Sequence, residues 1–419
     1  MQRRRRPFPG FVALHPALRR RLARRLCCRI CRNSAPKLGI RQNRFAQKPS
    51  QSPITPVASP DTQASPLTQI TPQLRMVVIA ITGATGDVGY ETCKQISAVA
   101  EVTKLIVTAR TEAKARAVVA KLVKDTGKDR AWFDYVVLDL SDHASVMAAV
   151  QTFPQVDRLC LNAGGLGDIK THKQSGTTVA IVSNVLGHSV LSDELIKADK
   201  INAGGRIIYI GSEVTRPVLA YAGLLPMYCS FREGDLEWAM TKTYWDCATP
   251  CLKVRSQLGD YKNAKIIGHL FYAAVAKEQP DLHTLIVSPG AVGGSFANGA
   301  YFPINWLLWA IPSFFICIGA NHKLETGVAR YIDGVLTGEP KWAAGSMPMS
   351  KPNWPCNLPC SCLPCTCLFG ANSPDMVDNR PFASYLHDDA LNEKAAAMVR
   401  EYQKKWAAFS PSPAIIKRG

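Results

Sequence analysis

Short apolar runs alternate with longer helical patterns from residue 75 onwards. Six runs have the length of buried strands: Met76–Ile81, Leu105–Thr108, Tyr135–Leu138, Leu159–Leu161, Ile207–Ile210 and Leu285–Val287. Four stretches between them have a helical pattern, at 111–125, 143–152, 178–198 and 264–277. Continuous apolar strands that alternate with helices are typical of a parallel sheet covered on both faces. The pattern therefore predicts a doubly wound α/β fold with its ligand crevice at the carboxyl ends of the strands.

The first 75 residues differ in composition from the rest of the chain. They hold 16 of the 50 Lys and Arg residues but a single acid, Asp61, in a chain of net charge +18. Residues 1–48 combine arginines with apolar residues spaced four apart, as in organellar transit peptides; a basic helix retained at a membrane surface is the alternative. Residues 49–74 are rich in Pro, Ser, Thr and Gln, which predicts a disordered linker. Because the positive charge lies in this tail, the composition does not favour nucleic-acid binding.

A glycine-rich turn follows the first predicted strand and reads Thr82-Gly83-Ala84-Thr85-Gly86-Asp87-Val88-Gly89. Glycines let the backbone turn tightly and approach a pyrophosphate at the start of the next helix, so the turn predicts a Rossmann-type dinucleotide site. An NAD enzyme usually places an acid after the second strand, where this chain has Arg110 followed by Lys114. These cations favour NADP(H); the alternative is two solvated residues at a helix start. Asp139 and Leu140, after the third strand, are predicted to contact the adenine end.

Five further motifs follow the glycine turn in order. They are Asn162-Ala163-Gly164 after the fourth strand, Asn184 inside a predicted helix, Ser212 after the fifth strand, Tyr261-Lys262-Asn263-Ala264-Lys265, and Pro289-Gly290 after the sixth strand. Over residues 76–295 these motifs resemble those of the short-chain dehydrogenase/reductase family, namely TGxxGxxG, NAG, the helix asparagine, the strand-five serine, YxxxK and PG. The resemblance implies an enzyme that transfers hydride with NADP(H), and it places the NAG and PG residues beside the cofactor.

The resemblance also assigns roles at the reaction centre. Tyr261 would donate a proton to the substrate, Lys265 would bind the nicotinamide ribose, Ser212 would bond the reacting oxygen, and Asn184 would hold a water that relays protons. Tyr261 and Lys265 are four residues apart and share a helix face. The ammonium is therefore expected to lower the tyrosine pKa from its ordinary value of ~10. The alternative is an ordinary exposed pair at a helix start.

A long insertion, residues 213–260, separates Ser212 from Tyr261. It carries Phe231, Trp238 and other large apolar residues, and is predicted to cover the cleft as a lid. Among family branches with such an insertion, the chain resembles light-dependent protochlorophyllide reductase at 184–188, 261–265, 325–335 and 391–406. That enzyme has a cysteine directly after the PG turn, where this chain has Ala291. The resemblance implies a bulky hydrophobic substrate, and a membrane-associated retinoid, steroid or lipid carbonyl reductase is the alternative.

Residues 302–319 form an uncharged apolar run inside the segment 296–320. A spanning helix needs about 20 apolar residues, and Pro303 and Pro312 interrupt this run. It follows the PG turn, where the family has its substrate loop, and we interpret it as an apolar loop that dips into a membrane surface. A buried core helix and a true span are the alternatives. The first two interpretations favour a large apolar substrate.

Five of the 14 cysteines fall in a proline-rich segment, 346–380. They are Cys356, Cys360, Cys362, Cys365 and Cys367. Thiolates this close suit zinc or copper(I), but no histidine completes a standard zinc finger. Lipid attachment and an insertion without function are the alternatives, and we predict no metal site.

Together the patterns predict a catalytic domain at 75–345, a C-terminal helix and tail at 381–419, and an NADPH-dependent reductase in an organelle. The pigment-enzyme resemblance favours a plastid, and the arginine-rich start suits a mitochondrion. The partners would be a hydrophobic small molecule, a membrane surface and a second copy of the chain. Two interpretations of another class stay open: a non-catalytic NADP(H)-binding scaffold, and a metal-handling protein built around the cysteines.

Overall fold

The computed structural model describes residues 76–215, 231–243, 253–290, 292, 323–350, 376–378 and 383–409. All of them belong to one compact unit, Thr71–Gly419. Several predictions concern other parts of the chain and lie outside the described residues: the targeting segment 1–48, the linker 49–74, Ala291, the apolar run 302–319 and the five clustered cysteines.

Six parallel strands form the central sheet, and all six predicted strands are confirmed. They are β1 Val77–Ile81, β2 Val102–Ala109, β3 Phe133–Val137, β4 Val156–Leu161, β5 Ile201–Ile210 and β6 His283–Val287. Their order across the sheet is β3-β2-β1-β4-β5-β6, and every neighbouring pair is parallel. This is the predicted doubly wound, Rossmann-type fold. The order reverses between β1 and β4, so the ligand crevice belongs at the carboxyl ends of these strands.

Helices flank the sheet. Those described are α1 Asp87–Ile96, α2 Glu112–Thr126, α3 His143–Thr152, α4 Val179–Lys197, α5 Leu236–Thr241, α6 Lys253–Glu278, α7 Leu324–Ala329 and α8 Asp389–Phe409. The predicted helices at 111–125, 143–152 and 178–198 match α2, α3 and α4. The prediction at 264–277 covers only the second half of α6, because the first half buries polar residues and lacks a clear apolar stripe. Tyr261 therefore lies inside this helix and not at its start.

Helix α4 is long and apolar enough to cross a membrane by length and composition, but 72% of its apolar window is buried inside the protein. Its apolar side chains, among them Val185, Leu186 and Leu191, belong to the core. We therefore interpret α4 as a core helix. Its middle, Val182–Leu186, widens into a π-helical turn.

The core lies on both faces of the sheet, because successive strand residues point to opposite faces. Ile79 and Ile81 of β1 pack with residues of α1, α2 and α7, whereas Ala80 packs with residues of α3, α4, α6 and α8. Both faces are thus apolar, which is why the strands form continuous apolar runs in the sequence.

The C-terminal helix α8 packs on α6 and carries a large aromatic residue that contacts other parts of the fold. Trp406 is fully buried and lies edge-on to His143 and His172, with ring centroids 5.3 and 6.0 Å away. A second link is polar, since the Tyr402 hydroxyl donates a hydrogen bond to Glu237 of α5 at 2.6 Å. The predicted C-terminal helix is therefore an integral part of the folded unit.

The described part of the insertion, residues 231–243, is held by these C-terminal elements. Phe231 is buried beside Tyr385, with ring centroids 5.9 Å apart, and not over the crevice as the lid prediction implies for it. The rest of the proposed lid falls largely in 216–230 and 244–252, of which the structure gives no description. Near its two ends, the predicted insertion 346–380 contains two short antiparallel strands, β7 Pro348–Ser350 and β8 Met376–Asp378.

Candidate active site

The glycine-rich turn joins β1 to α1 at the carboxyl edge of the sheet. Gly83 has a φ of +73°, and a side chain there would overlap the backbone of Ala163. A side chain on Gly89 would overlap the Gly83 carbonyl oxygen and the side-chain amide of Asn162. The turns after β1 and β4 therefore pack backbone against backbone, and this approach requires glycine.

Thr82 ties these two turns together. Its hydroxyl oxygen accepts a hydrogen bond from the Ala163 N–H at 2.9 Å, and the Asn162 amide donates to the Thr82 carbonyl at 2.9 Å. Thr82 is fully buried. It therefore holds the turn in place and does not line the crevice.

A cleft of about 450 Å³ opens along this edge of the sheet. Its lining includes these predicted cofactor residues: Gly83, Thr85, Gly86, Asp87, Val88, Gly89, Arg110, Asp139, Leu140, Asn162, Ala163, Gly164, Lys265 and Pro289. The cleft is also lined by residues that were not predicted: Thr108, Ala109, Leu138, Ser141, Gly165, Leu166, Ser183 and Ile210. Each of these lies one or two residues from a predicted motif, so extending the motifs would have found them. Thr82, Lys114, Tyr261 and Gly290 are not part of the lining.

The shape and donors of this cleft fit a dinucleotide. Helix α1 begins directly after Gly86, which has no side chain to cap it, so the N–H groups of its first turn can receive a phosphate. Arg110 is exposed at the end of β2 and lines the cleft, whereas Lys114 is exposed on α2 outside it. Of the two predicted cations, Arg110 is therefore the one placed to meet a ribose phosphate.

The turns after β3 and β6 complete the edge. Asp139 accepts hydrogen bonds from the Ser141 N–H at 3.0 Å and from its hydroxyl at 2.6 Å, which closes a tight turn beside Leu140. Gly290 has a φ of +85° and donates from its N–H to the Ser288 hydroxyl at 3.1 Å. The positive φ explains the glycine of the PG motif.

Tyr261 and Lys265 lie one turn apart on α6, beside the end of β5. The Lys265 ammonium donates a hydrogen bond to the Ile210 carbonyl at 2.8 Å and lies 5.5 Å from the centre of the Tyr261 ring. Ser212, two residues after Ile210, is hydrogen-bonded to the Tyr261 hydroxyl. Tyr261 is 8% exposed and Lys265 3% exposed. The structure thus brings the predicted tyrosine, lysine and serine together, and the alternative of an exposed pair is wrong.

Burial governs the ionisation of both groups on α6. It raises the pKa of Tyr261 to about 12, an effect that the hydrogen bond with Ser212 partly offsets. Burial also lowers the pKa of Lys265 to about 7. The tyrosine pKa is therefore raised where we expected it lowered, because burial of the hydroxyl disfavours the charged phenolate. Tyr261 keeps its proton at neutral pH, which is the state that a proton donor requires.

Asn184 lies in the π-helical turn of α4 and is fully buried. Its Oδ1 accepts a hydrogen bond from the Gly165 N–H at 3.0 Å, and its Nδ2 donates to the carbonyls of Gly165 at 3.0 Å and Ala180 at 2.8 Å. These bonds fix the loop after β4, which lines the cleft. The water relay stays a prediction; the role visible in the contacts is to hold Gly165.

Two buried histidines adjoin this centre, and the sequence analysis assigned neither to the site. His188 Nδ1 lies 3.3 Å from the Asn184 carbonyl, which can only accept, so Nε2 accepts from the Thr82 hydroxyl 2.9 Å away. His269 Nε2 accepts from the Ser212 N–H at 3.3 Å. Burial lowers the pKa of both to about 3. Their spacing could have indicated them, because His188 follows Asn184 by four residues and His269 follows Lys265 by four, and residues four apart share a helix face.

A family model described as short chain dehydrogenase matches residues 77–230. No curated protein matches the chain. Among solved structures, an NADPH-bound carbonyl reductase from chicken fatty liver is similar at 15% identity and a TM-score of 0.44, over 66% of this chain and 96% of that one. Salutaridine reductase from Papaver somniferum is similar at 16% identity and a TM-score of 0.45, over 65% and 99%. A short-chain dehydrogenase/reductase from Caenorhabditis elegans, of unknown function and solved with cofactor, shows 16% identity and a TM-score of 0.46, over 65% and 93%.

The matched segment contains the glycine turn, the motif after β4, Ser212 and the strands β1 to β5. Over these residues, less than half of the chain, the protein is similar to the short chain dehydrogenase family, and the structure places Tyr261 and Lys265, which lie beyond the match, beside the matched segment. Members of this family are oxidoreductases, and the protein is classed as one.

Proposed function

We propose that the protein is an NADP(H)-dependent reductase that acts on a bulky apolar substrate. The observation that carries the proposal is the buried cluster of Tyr261, Ser212 and Lys265 beside a glycine-lined cleft. A scaffold that only bound the cofactor would not need a protonated tyrosine held by a serine next to that cleft.

Cofactor binding would use the backbone of the glycine turn for the pyrophosphate and Arg110 for the 2′-phosphate of NADP(H). The chain has Arg110 where an NAD enzyme would usually have an acid, at the end of β2. When bound, the reduced nicotinamide supplies a hydride to the substrate. Lys265 lines the cleft with its ammonium held by Ile210, a position from which it can bond a ribose hydroxyl.

Proton delivery would come from Tyr261. Its pKa of about 12 keeps the hydroxyl protonated until the substrate oxygen or carbon acquires charge. Ser212 would hold a substrate oxygen beside that hydroxyl, and Lys265 would stabilise the phenolate that remains. Tyr261 would thus act in the protonated state that its burial favours.

The substrate class rests on the sequence. The uncharged run 302–319 follows along the chain after the PG turn, whose Pro289 lines the cleft, and it suits a large apolar molecule taken from a membrane surface. The resemblance at 261–265 and 184–188 makes protochlorophyllide the first candidate. Ala291, in place of that enzyme's cysteine, favours instead a retinoid, steroid or lipid carbonyl.

The test is a binding and turnover assay with the full-length protein. NADPH and NADH are titrated separately by nicotinamide fluorescence, and we expect NADPH to bind more tightly. Turnover is then measured with protochlorophyllide, in darkness and under illumination, and with all-trans-retinal and a 3-ketosteroid. Reduction of any of these with NADPH supports the proposal and selects its branch. A protein that binds neither nucleotide would contradict it.

We further propose that residues 1–48 direct the protein to an organelle, a plastid or a mitochondrion, because they are rich in arginine and poor in acids. Fluorescent fusions of the full chain and of a chain lacking these residues test this. Equal distribution of the two fusions would contradict it.

A further inference from the structure

His269 lies one turn after Lys265 on α6, and its imidazole is fully buried against the end of β5. Its Nε2 is 3.3 Å from the backbone nitrogen of Ser212, whose N–H donates to it. A backbone N–H can only donate, so Nε2 must be the unprotonated ring nitrogen. The neutral imidazole therefore carries its proton on Nδ1.

The end of β5 is thus held at two points by one face of α6. Lys265 donates to the Ile210 carbonyl at 2.8 Å, and His269 accepts from the Ser212 N–H. Between these points the backbone of Gly211 passes so close to the imidazole that a side chain there would overlap Nε2. The Gly211 N–H donates to the Val287 carbonyl of β6 at 2.8 Å. The backbone that carries Ser212 is fixed from both the helix and the sheet.

Filling of space does not explain a histidine at this position. Its Nδ1 has no hydrogen-bond partner among the residues that the structure describes, and a buried donor without a partner is destabilising. An apolar side chain would avoid that penalty. An apolar side chain would lack an acceptor for the N–H of Ser212, the residue whose hydroxyl is hydrogen-bonded to Tyr261.

We propose that His269 is a positioning residue that orients Ser212 towards Tyr261 through its uncharged Nε2. The inference rests on the proposed function, because it assigns His269 to the same reaction. Burial, and secondarily the adjacent Lys265, lower the imidazole pKa to about 3. The acceptor is therefore present throughout the neutral range.

The first test uses full-length wild-type protein labelled with ¹⁵N-histidine. The ring signals of His269 are assigned by their absence from His269→Gln, and their shifts report which nitrogen is protonated. We expect a neutral ring with its proton on Nδ1 at neutral pH. A proton on Nε2, or a charged ring, would overturn the proposal, because neither can accept from Ser212.

The second test compares two variants of similar shape. His269→Gln places an acceptor oxygen as many bonds from the backbone as Nε2, whereas His269→Met fills the space without one. The assay uses NADPH with protochlorophyllide, all-trans-retinal or a 3-ketosteroid, whichever the wild type reduces. We expect His269→Met to lower kcat on the order of 10²-fold, as a displaced reacting group does. KM and the Kd for NADPH should change little, and His269→Gln should recover most of kcat.

The results that would overturn the role of His269 differ from those that would refute the proposed function. Unchanged kcat in a folded His269→Met variant, or equal losses in both variants, would overturn the proposal. If His269→Met does not fold, the test rests on the wild-type tautomer and on the kcat of His269→Gln. A large loss of kcat in a folded His269→Gln variant would then contradict the proposal. The proposed function fails differently: a wild type that binds no NADPH, or reduces none of the three probes, refutes the function before any variant is compared.

Discussion

Replacing Lys265 with methionine should stabilise the protein at neutral pH while it removes activity. Lys265 is 3% exposed, and no acid is among the causes that set its pKa; burial alone lowers that pKa to about 7. In the unfolded chain the same amine is solvated and fully charged at neutral pH. Folding therefore has to desolvate or deprotonate the lysine amine, which costs free energy. A methionine side chain of similar length does not have this cost.

The size of the effect follows from the two pKa values. The lysine pKa falls from 10.5 to about 7 on folding. At roughly 1.4 kcal/mol per pKa unit, this corresponds to a penalty of about 5 kcal/mol. The variant also loses the hydrogen bond to the Ile210 carbonyl, worth about 2 kcal/mol for a charged donor. The net gain in the free energy of unfolding should be about 3 kcal/mol at pH 7.

The gain should depend on pH in one direction. Above pH 10.5 both states of the lysine are neutral, and the penalty is absent. As pH falls towards 7 the unfolded state takes up the proton and the folded state does not, so wild-type stability is lost over this window. The advantage of the variant should thus shrink as pH rises from 7, and reverse near pH 10.5, where only the lost hydrogen bond remains.

The assay is urea unfolding of the full chain, without nucleotide, at several pH values between 7 and 10.5. The control is Lys277→Met on the same helix, whose half-exposed ammonium pairs with Asp389. It should change stability by less than about 1 kcal/mol. The reasoning is refuted if Lys265→Met is less stable than wild type at pH 7, or if the difference between them does not change with pH.

Four other substitutions test the cleft and the core. Arg110→Ala should raise the Kd for NADPH about 10- to 100-fold, the loss of one charge-assisted phosphate bond, with NADH binding unchanged; equal effects on both nucleotides would argue against a 2′-phosphate contact. Gly89→Ala should lower the free energy of unfolding by about 1–3 kcal/mol through overlap with Gly83, together with NADPH affinity. Gly86→Ala, whose side chain would lie 3.6 Å from its nearest neighbour, should keep wild-type stability, and equal losses in the two glycine variants would be inconsistent with the packing described. Trp406→Ala should cost about 3–5 kcal/mol in urea unfolding, and a loss below about 1 kcal/mol would show that α8 is not anchored there.

The strands and the cleft could be predicted because their causes are local. A strand buried on both faces needs a continuous apolar run, as at Val77–Ile81. A turn that packs on another backbone needs glycine, as at Gly83 and Gly89. These local requirements place certain residue types at a fixed spacing along the chain, and such a spacing is visible in a single sequence.

The remaining features depend on contacts between distant segments. The first half of α6 buries Asp260, Lys262 and Asn263, so its inward face is polar and the apolar periodicity that predicts helices fails there. The raised pKa of Tyr261 and the lowered pKa of Lys265 follow from burial by elements far along the chain. His269 was missed for the same reason, since its partner is the backbone N–H of Ser212, just after β5.

The central claim is that Tyr261 donates a proton in an NADPH-dependent reduction, and the most direct measurement compares wild type with Tyr261→Phe. NADPH oxidation is followed with the substrate that the wild type reduces, and NADPH affinity is measured separately. Loss of a general acid predicts a kcat lower by about 10²- to 10⁴-fold, with the Kd for NADPH unchanged. A Tyr261→Phe enzyme that retains its kcat would contradict the claim.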